Sequence, residues 1–212
     1  MATGKPILIA TSNCGKLRDF AAAAAEHGVE VQPVPGLDSL PQVVEDGTTF
    51  QANACKKAEH YSRLVPREIV LADDSGLEVD ALGGAPGVRS ARYAAGENDE
   101  NSSDAANNAR LLRELAPVPD AQRQARFVCV IAAARDGSTL TTFRGEAEGV
   151  ILHALRGSGG FGYDPLFYFV ELGKTFAELS AEEKAKVSHR GKAFRKFLQW
   201  YEQQASRSEP QS

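Results

Sequence analysis

The chain has 212 residues, of which 42% are hydrophobic and 25% charged, so it can bury a core as one large domain or two small lobes. Its formal net charge of -4 provides no global attraction to a polyanion. A role in binding a nucleic-acid polymer is therefore disfavoured, whereas a small anionic substrate needs only a local positive pocket.

The first half of the chain alternates between predicted strands and helices. Short apolar runs predict strands at residues 7–11, 29–34 and 69–72, and residues 77–82 are compatible with further strand. Helical spacing predicts helices at residues 16–27 and from Thr48 or Thr49 to about residue 64. Residues 35–47, rich in proline and glycine, are predicted to be mostly loop.

The second half contains a predicted hairpin. A helix at residues 101–115 precedes strands at 126–134 and 140–150, which a turn at Asp136-Gly137-Ser138 joins. A glycine-rich loop, a strand at 166–170, a loop with a short helix at 175–187 and a helix at 191–204 follow. The whole pattern predicts one α/β domain over residues 1–205 with a mixed sheet, and a polar, disordered tail over 206–212.

Cysteine usage and hydropathy predict the compartment. Cys14, Cys55 and Cys129 form no CxxC pair, which disfavours a disulfide framework or a zinc site. The N-terminal apolar run is too short for a signal peptide or a membrane span, and no run of 18 apolar residues follows. The sequence therefore predicts a cytoplasmic protein without a membrane partner.

A polar segment, Thr11-Ser12-Asn13-Cys14-Gly15-Lys16, lies between the first strand and the first helix. Backbone N–H groups at a helix N-terminus, small hydroxyls and a lysine can cradle phosphate. Only Gly15-Lys16 matches the pattern GxxxxGK[ST], so this is not a Walker motif. The alternative is an ordinary helix cap with a solvated lysine.

Two adjacent carboxylates follow the third strand, in Ala72-Asp73-Asp74-Ser75-Gly76-Leu77. Because neighbouring residues of a strand point to opposite faces, one aspartate can face a site while the other makes a structural hydrogen bond. Carboxylates at the end of a strand suit Mg²⁺, which prefers one or two protein oxygens together with phosphates and water. The alternative is a plain turn, since Asp, Ser and Gly are turn formers.

Two later segments are candidates for ligand binding. Residues 157–165 contain four glycines that allow close backbone approach, and Phe161 and Tyr163 among them can stack on a base. A cationic cluster that includes Lys184, His189 and Arg190 precedes the last helix. The alternatives are a flexible surface loop and a solvated basic face with a structural histidine.

Taken in chain order, these segments resemble the inosine triphosphate pyrophosphatase family. Each is weakly specific alone, but the ordered set is highly specific and spans the chain to about residue 204. The matching segments are Ser12-Asn13-x-x-Lys16, Phe50-x-x-Asn53-Ala54 with Lys57, and residues 72–77, 82–87, 90–93, 159–165 and 188–191. Ser12 stands where glycine is also common, and Cys14 falls at a variable position.

The resemblance implies a fold and a reaction. The fold is an elongated mixed sheet with flanking helices and a substrate cleft between two lobes, usually in a homodimer. The reaction is Mg²⁺-dependent hydrolysis of a purine nucleoside triphosphate (ITP, dITP or XTP) to the monophosphate and pyrophosphate, which clears deaminated purines from the nucleotide pool.

The resemblance also implies roles for individual residues. Asp74 would be the general base and a metal carboxylate, and Glu45 the second metal carboxylate. The triphosphate would be held by Thr11, Ser12, Asn13, Cys14, Gly15, Lys16 and Lys57. The rest of the substrate would contact Ser75, Phe161, Gly162, Tyr163, Asp164, Lys184, His189 and Arg190.

Hydrogen bonding at C6 gives a physical hypothesis for how the site selects its base. Hypoxanthine and xanthine present a hydrogen-bond acceptor at C6, where adenine presents a donor. Donors from Arg190 or from the backbone of the glycine-rich loop would therefore leave adenine with an unpaired polar group.

Two other functional classes remain open at this point. One is a nucleotide pyrophosphatase of different base specificity, which a substrate panel separates. The other is a non-catalytic nucleotide-binding module. The carboxylates of Glu45 and Asp74 disfavour a module, because a binder of an anion gains nothing from negative charge beside it without a metal.

Overall fold

The fold is built on one mixed sheet. A computed structural model describes residues 5–95 and 100–208, with side chains described as far as residue 204. The sheet has the strand order β2-β1-β3-β4-β5-β6-β7. Its strands are β1 Ile7–Ile9, β2 Val31–Pro33, β3 Val70–Val79, β4 Gln124–Arg135, β5 Ser138–Ile151, β6 Phe167–Phe169 and β7 Lys174–Thr175. β1 pairs in parallel with β2 and β3, and the remaining neighbours are antiparallel, which confirms the predicted α/β class with a mixed sheet.

Helices flank the sheet and begin at capping side chains. The helices are α1 Cys14–Ala25, α2 Phe50–Ser62, α3 Asp104–Glu114, α4 Ala181–Val187 and α5 His189–Ser208. Asn13, Thr49, Ser103 and Ser180 each accept a hydrogen bond from a backbone N–H in the first turn of α1 to α4, respectively. These caps satisfy N–H groups that have no partner within the helix.

Two apolar layers cover opposite faces of β3. Leu71 belongs to a buried cluster with Phe20 of α1 and Phe194 of α5. The next residue, Ala72, belongs to a second cluster with Ala54 of α2. Since side chains alternate along a strand, odd-numbered residues of this part of β3 face α1 and α5, and even-numbered residues face α2.

One edge of β3 is open where the site lies. β1 pairs only with Val70 and Leu71 of β3, whereas β4 pairs with β3 along all ten residues to Val79. Between Ala72 and Gly76, no strand of the described residues pairs with the other edge. The prediction that the aspartates follow the end of a strand at residue 72 was wrong, because pairing with β4 carries the strand through them.

Several predicted boundaries shift in the structure. The strand compatible with residues 77–82 ends at Val79 and is followed by a 3₁₀ turn at Asp80–Leu82. α5 begins at residue 189 instead of 191, because the hydroxyl of Ser188 accepts the N–H of Gly191. The same helix continues through residues 206–208 of the predicted tail, and residues 209–212 lie outside the described part. No described helix is long and apolar enough to cross a membrane.

Candidate active site

A cleft of about 450 Å³ wraps around the open edge of β3. It brings together residues from all the sequence segments that were predicted to bind substrate. The predicted residues that line it are Thr11, Ser12, Asn13, Lys16, Glu45, Lys57, Asp74, Ser75, Phe161, Gly162, Tyr163, Asp164, Lys184, His189 and Arg190. Because β1 stops at Ile9, the groups on both faces of β3 reach this one cavity.

Asp74 lies on the face of β3 that packs against α2. Its Oδ2 accepts a hydrogen bond from Nδ2 of Asn53 at 2.9 Å, and its Oδ1 accepts the N–H of Ser75 at 2.9 Å. Burial raises the pKa of Asp74 above the ordinary carboxyl range, although Lys57 and Lys16 oppose the shift. A carboxylate whose pKa is raised in a cleft is suited to accept a proton.

Lys57 and Glu45 form an ion pair beside Asp74. The Nζ of Lys57 lies 2.8 Å from Oε2 of Glu45, with the lysine buried and the glutamate side chain 36% exposed. Burial works against the lysine charge, but Glu45 and Asp74 outweigh it and raise the pKa of Lys57. The loop carrying Glu45 is held by Arg92, whose Nη2 donates to the Glu45 carbonyl at 3.0 Å.

Asp73 leaves the opposite face of β3 and meets cations. Its Oδ2 lies 3.1 Å from Nζ of Lys16 and 3.4 Å from Nη2 of Arg190. Burial alone would raise the pKa of Asp73, but these two cations outweigh it and hold that pKa well below the ordinary value. Asp73 therefore fixes two positive side chains of the cleft and does not itself line it.

Arg190 is buried, and both of its terminal nitrogens donate to acceptors, whereas its Nε has no partner among the described residues. Its Nη1 donates to Asp19 at 2.6 Å, and its Nη2 donates to the hydroxyl of Ser75 at 2.8 Å. Burial disfavours the charge, yet the carboxylates of Asp73 and Asp19 keep the pKa of Arg190 above its ordinary value. The guanidinium is thus a fixed charge that connects β3, α1 and α5.

The glycine-rich loop forms a tight turn in the wall of the cleft. The N–H of Phe161 donates to Oδ2 of Asp164 at 2.9 Å, and the same oxygen lies 2.7 Å from Nζ of Lys184. Lys184 lies 5.0 Å from the centre of the Phe161 ring. Tyr163 is buried, and its hydroxyl donates to the carbonyl of Ser90 at 2.8 Å, so it anchors the loop.

His189 lines the cleft next to this turn. Its ring stacks on Phe127 with centroids 4.7 Å apart. Burial lowers the pKa of His189 well below its ordinary value, and Arg190 and Lys184 lower it further. The imidazole is therefore neutral, and its buried Nδ1 has no hydrogen-bond partner among the described residues.

The N-terminal segment supplies part of the opposite wall. Asn13 caps α1 by accepting the N–H of Lys16 at 3.0 Å, so that N–H is already used. Cys14 is exposed. Gly15 lies under Phe161, and a Cβ at Gly15 would come within 2.5 Å of the ring, which explains the glycine at this position. Cys14 and Gly15 are the two predicted contacts that do not line the cleft.

The sequence reasoning did not select several residues of the site. Asp19 is three positions after Lys16 and Asn53 is four positions before Lys57, so helical spacing puts each on the same face as a selected lysine. That spacing was the available signal. Asp104 and Asn107 also line the cleft, and only the fold brings them there.

The chain is similar to known proteins over nearly its whole length. The profile of the Ham1 family matches residues 7–200. The chain is 52% identical over 199 residues to the dITP/XTP pyrophosphatase of Geobacillus kaustophilus, which covers 94% of this chain and 95% of that protein. It is 50% identical over 198 residues to the dITP/XTP pyrophosphatase of Acidobacterium capsulatum, with 91% and 96% covered.

A solved structure shows the same fold. The Staphylococcus aureus Ham1 protein superposes with a TM-score of 0.78 at 42% identity and covers 94% of this chain and 100% of that one. The matches in sequence and in structure both span nearly the whole chain. The chain therefore belongs to the Ham1 family.

Proposed function

We propose that this protein hydrolyses dITP, XTP and ITP to the monophosphate and pyrophosphate and so clears deaminated purines from the nucleotide pool. The naming of relatives at 50% and 52% identity as dITP/XTP pyrophosphatases supports the reaction. The observation that carries the proposal is the cleft around the open edge of β3. There the raised-pKa carboxylate of Asp74 shares one cavity with Lys16 and Lys57.

The end of the cleft near β3 suits a triphosphate. Phosphoryl transfer requires mainly positioning and neutralisation of charge. Lys16 and Lys57 provide two ammonium groups there, and each is held by a carboxylate of the protein. We assign Asp74 to orient the attacking water and accept its proton, with attack at the α-phosphorus and pyrophosphate as the leaving group.

The acidic groups beside these lysines fit a magnesium ion. Each oxygen of Asp74 accepts one hydrogen bond, and Glu45 is partly exposed, so both carboxylates retain free lone pairs. Among the described residues, no group of three or more His, Cys, Asp or Glu side chains is placed to hold a metal alone. Two carboxylates with phosphates and water match the preference of Mg²⁺, which would supply charge neutralisation when bound.

The other end of the cleft suits a purine base. The sequence-based hypothesis that backbone N–H groups of the glycine-rich loop select the 6-oxo group does not fit at Phe161 and Gly162. Both of these N–H groups already donate to carboxylates of the protein. Both terminal nitrogens of Arg190 donate to protein oxygens, but its Nε has no hydrogen-bond partner among the described residues. We therefore assign base recognition to the neutral His189 and to Arg190, whose Nδ1 and Nε have no partner among the described residues, with Lys184 in the same cleft.

The proposal is tested by steady-state hydrolysis of ITP, XTP, dITP, ATP, GTP and dTTP with Mg²⁺, with pyrophosphate and orthophosphate assayed separately. We expect pyrophosphate release from ITP and XTP to be at least about 100-fold faster than from ATP, the selectivity that unpaired polar groups can provide. The same margin is expected over GTP, whose rejection must rest on its 2-amino group because guanine also has a 6-oxo group. Release of orthophosphate would contradict the site of attack, and equal rates on all substrates would contradict the base selectivity.

A homodimer and a cytoplasmic location remain proposals that rest on the family resemblance and on the composition of the chain. Light scattering of the purified protein tests the dimer, and fractionation of cells tests the location.

A further inference from the structure

Helix α3 holds both backbone polar groups of Gly162. The N–H of Gly162 donates to Oδ2 of Asp104 at 2.6 Å, and its carbonyl accepts from Nδ2 of Asn108 at 2.9 Å. Asp104 and Asn108 are four positions apart on α3, so they lie on the same face of the helix. The glycine-rich turn is thus held against α3 at Gly162, where Asp104 accepts one hydrogen bond and Asn108 donates another.

The side chain of Asn108 contains a buried atom without a hydrogen-bond partner among the described residues. The residue is buried, and the atom is Oδ1 of its amide. The preceding residue, Asn107, instead pairs its amide with nearby backbone at Ala91 and Ala94 and so has a local structural role. A buried amide oxygen without a partner destabilises the fold, and among the described residues the one hydrogen bond of the Asn108 side chain is its bond to Gly162.

The residue that this contact positions is Phe161. Its ring forms part of the cleft wall and packs on Gly15 of α1. The charged groups of Lys184 and Arg190 lie 5.0 and 5.7 Å from the centre of the ring. Because Phe161 directly precedes Gly162 in a tight turn, a displacement of the Gly162 backbone moves this ring.

We propose that Asp104 and Asn108 are positioning residues of the nucleotide cleft. They hold Gly162, and through it they hold the Phe161 ring at the place where the purine base binds. The inference rests on the proposed function, because it assigns Phe161 to the base end of the cleft. Helix α3 contributes none of the assigned catalytic groups, but through these two residues it contributes to substrate affinity.

The test compares Asp104→Ala with Glu182→Ala. Glu182 is the matched control, since it is an exposed acidic residue in the first turn of α4, as Asp104 is in α3. We expect Asp104→Ala to raise the KM for ITP about 5- to 20-fold, with kcat changed less than about 2-fold, as for the loss of one charge-assisted hydrogen bond. Asp104→Asn keeps an acceptor oxygen and is expected to restore most of the affinity.

Hydrogen exchange of the substrate-free protein provides a second measurement. We expect faster amide exchange in the segment 157–166 of Asp104→Ala than in the wild type, and no change there in Glu182→Ala. If Asp104 instead contacts the substrate directly, KM rises while exchange in that segment stays unchanged. That result would overturn the positioning role.

The remaining outcomes separate this inference from the proposed function. If the wild type releases pyrophosphate selectively but Asp104→Ala matches Glu182→Ala in kinetics and exchange, only the inference fails. If the wild type releases no pyrophosphate, the proposed function fails, whatever the exchange shows. An Asp104→Ala/Asn108→Ala variant is expected to raise KM by less than the product of the single effects, because both side chains act through Gly162. A full product would contradict this shared route.

Discussion

Asp73 and Asp74 are adjacent in the chain, but their side chains leave opposite faces of β3 and meet different partners. Asp74 is buried beside Asn53, with its pKa raised by desolvation. Asp73 is buried between Lys16 and Arg190, with its pKa held low by their charges. The same residue type therefore has a raised pKa at one position, where we propose that it accepts a proton, and is a fixed counter-charge at the next.

Replacement of Asp74 by Asn separates activity from stability. We expect Asp74→Asn to lower kcat by at least about 100-fold, the contribution of a positioned general base. When the folded-state pKa of a carboxyl group is raised, its ionisation above its ordinary pKa destabilises the folded protein relative to the unfolded chain. Asp74→Asn removes this effect, so the Tm of the variant at neutral pH is expected to be no lower than that of the wild type. The Tm difference in its favour is expected to vanish as the pH falls below the ordinary value of 3.8, where the carboxyl is protonated in both states.

Calorimetry from acid to neutral pH, together with pyrophosphate release, tests both effects. Full turnover by Asp74→Asn would contradict the assignment of the base. A large loss of thermal stability at neutral pH would contradict the raised pKa.

Replacement of Asp73 has the opposite dependence on pH. Asp73→Asn leaves Lys16 and Arg190 without this counter-charge, and breaking such a buried pair costs about 3 kcal/mol of unfolding free energy. Because the folded-state pKa of Asp73 is depressed, its stabilising contribution is complete above the ordinary value of 3.8 and declines as the pH falls below it. Urea unfolding at neutral pH and near pH 3 measures the difference. A larger loss of stability at the lower pH would refute the assigned direction.

The packing of α1 against the glycine-rich turn can be tested by a substitution at Gly15. Gly15→Ala would place a Cβ within 2.5 Å of the Phe161 ring, which Lys184 and Arg190 hold in place. We expect the variant to raise the KM for ITP about 5-fold or more, while its better helix propensity offsets part of any loss of stability. The combination with Phe161→Leu tests the mechanism. If the clash with Phe161 is the cause, the added effect of Gly15→Ala is smaller in the Phe161→Leu background.

Local patterns predicted most elements but not the extent of β3. The apolar runs at β1 and β4 and the polar caps before α1 and α2 are local signals that the structure confirms. The polar run from Asp73 to Gly76 has the composition of a turn, yet it is strand, because β4 provides its backbone partners. Pairing between segments more than 50 positions apart has no local signal, so the open edge of β3 was not predictable from spacing.

The same limit applies to the site as a whole. The ordered motifs of the family identified fifteen of the residues that line the cleft. The partners of those residues were not identified, because Asp19 and Asp104 face Arg190 and Gly162 only after the chain has folded. For the same reason, the sequence alone predicts free N–H donors in the glycine-rich loop. In the folded protein, Asp164 and Asp104 accept the N–H groups of Phe161 and Gly162.

Substrate is expected to stabilise the whole molecule, because the cleft joins parts of the chain that are distant in sequence. Its lining comes from α1, α2 and β3 as well as from the glycine-rich turn, α4 and α5. The α,β-imido analogue of ITP resists cleavage at the α-phosphorus and binds only the folded state. At 100 times its Kd with Mg²⁺, it is expected to add about 2.7 kcal/mol and to raise Tm by roughly 5–10 °C.

Differential scanning fluorimetry with matched ligands tests this coupling. The α,β-imido analogue of ATP is expected to give a much smaller shift at the same concentration, because its base lacks the 6-oxo acceptor. Chelation of Mg²⁺ is expected to reduce the ITP-analogue shift, since Asp74 and Glu45 then repel the phosphates without a cation between them. The β,γ-imido analogue of ITP retains the anhydride between the α- and β-phosphates, so the enzyme should still cleave it and release imidodiphosphate. Resistance of that analogue to cleavage would place the attack at the γ-phosphorus and overturn the proposed reaction.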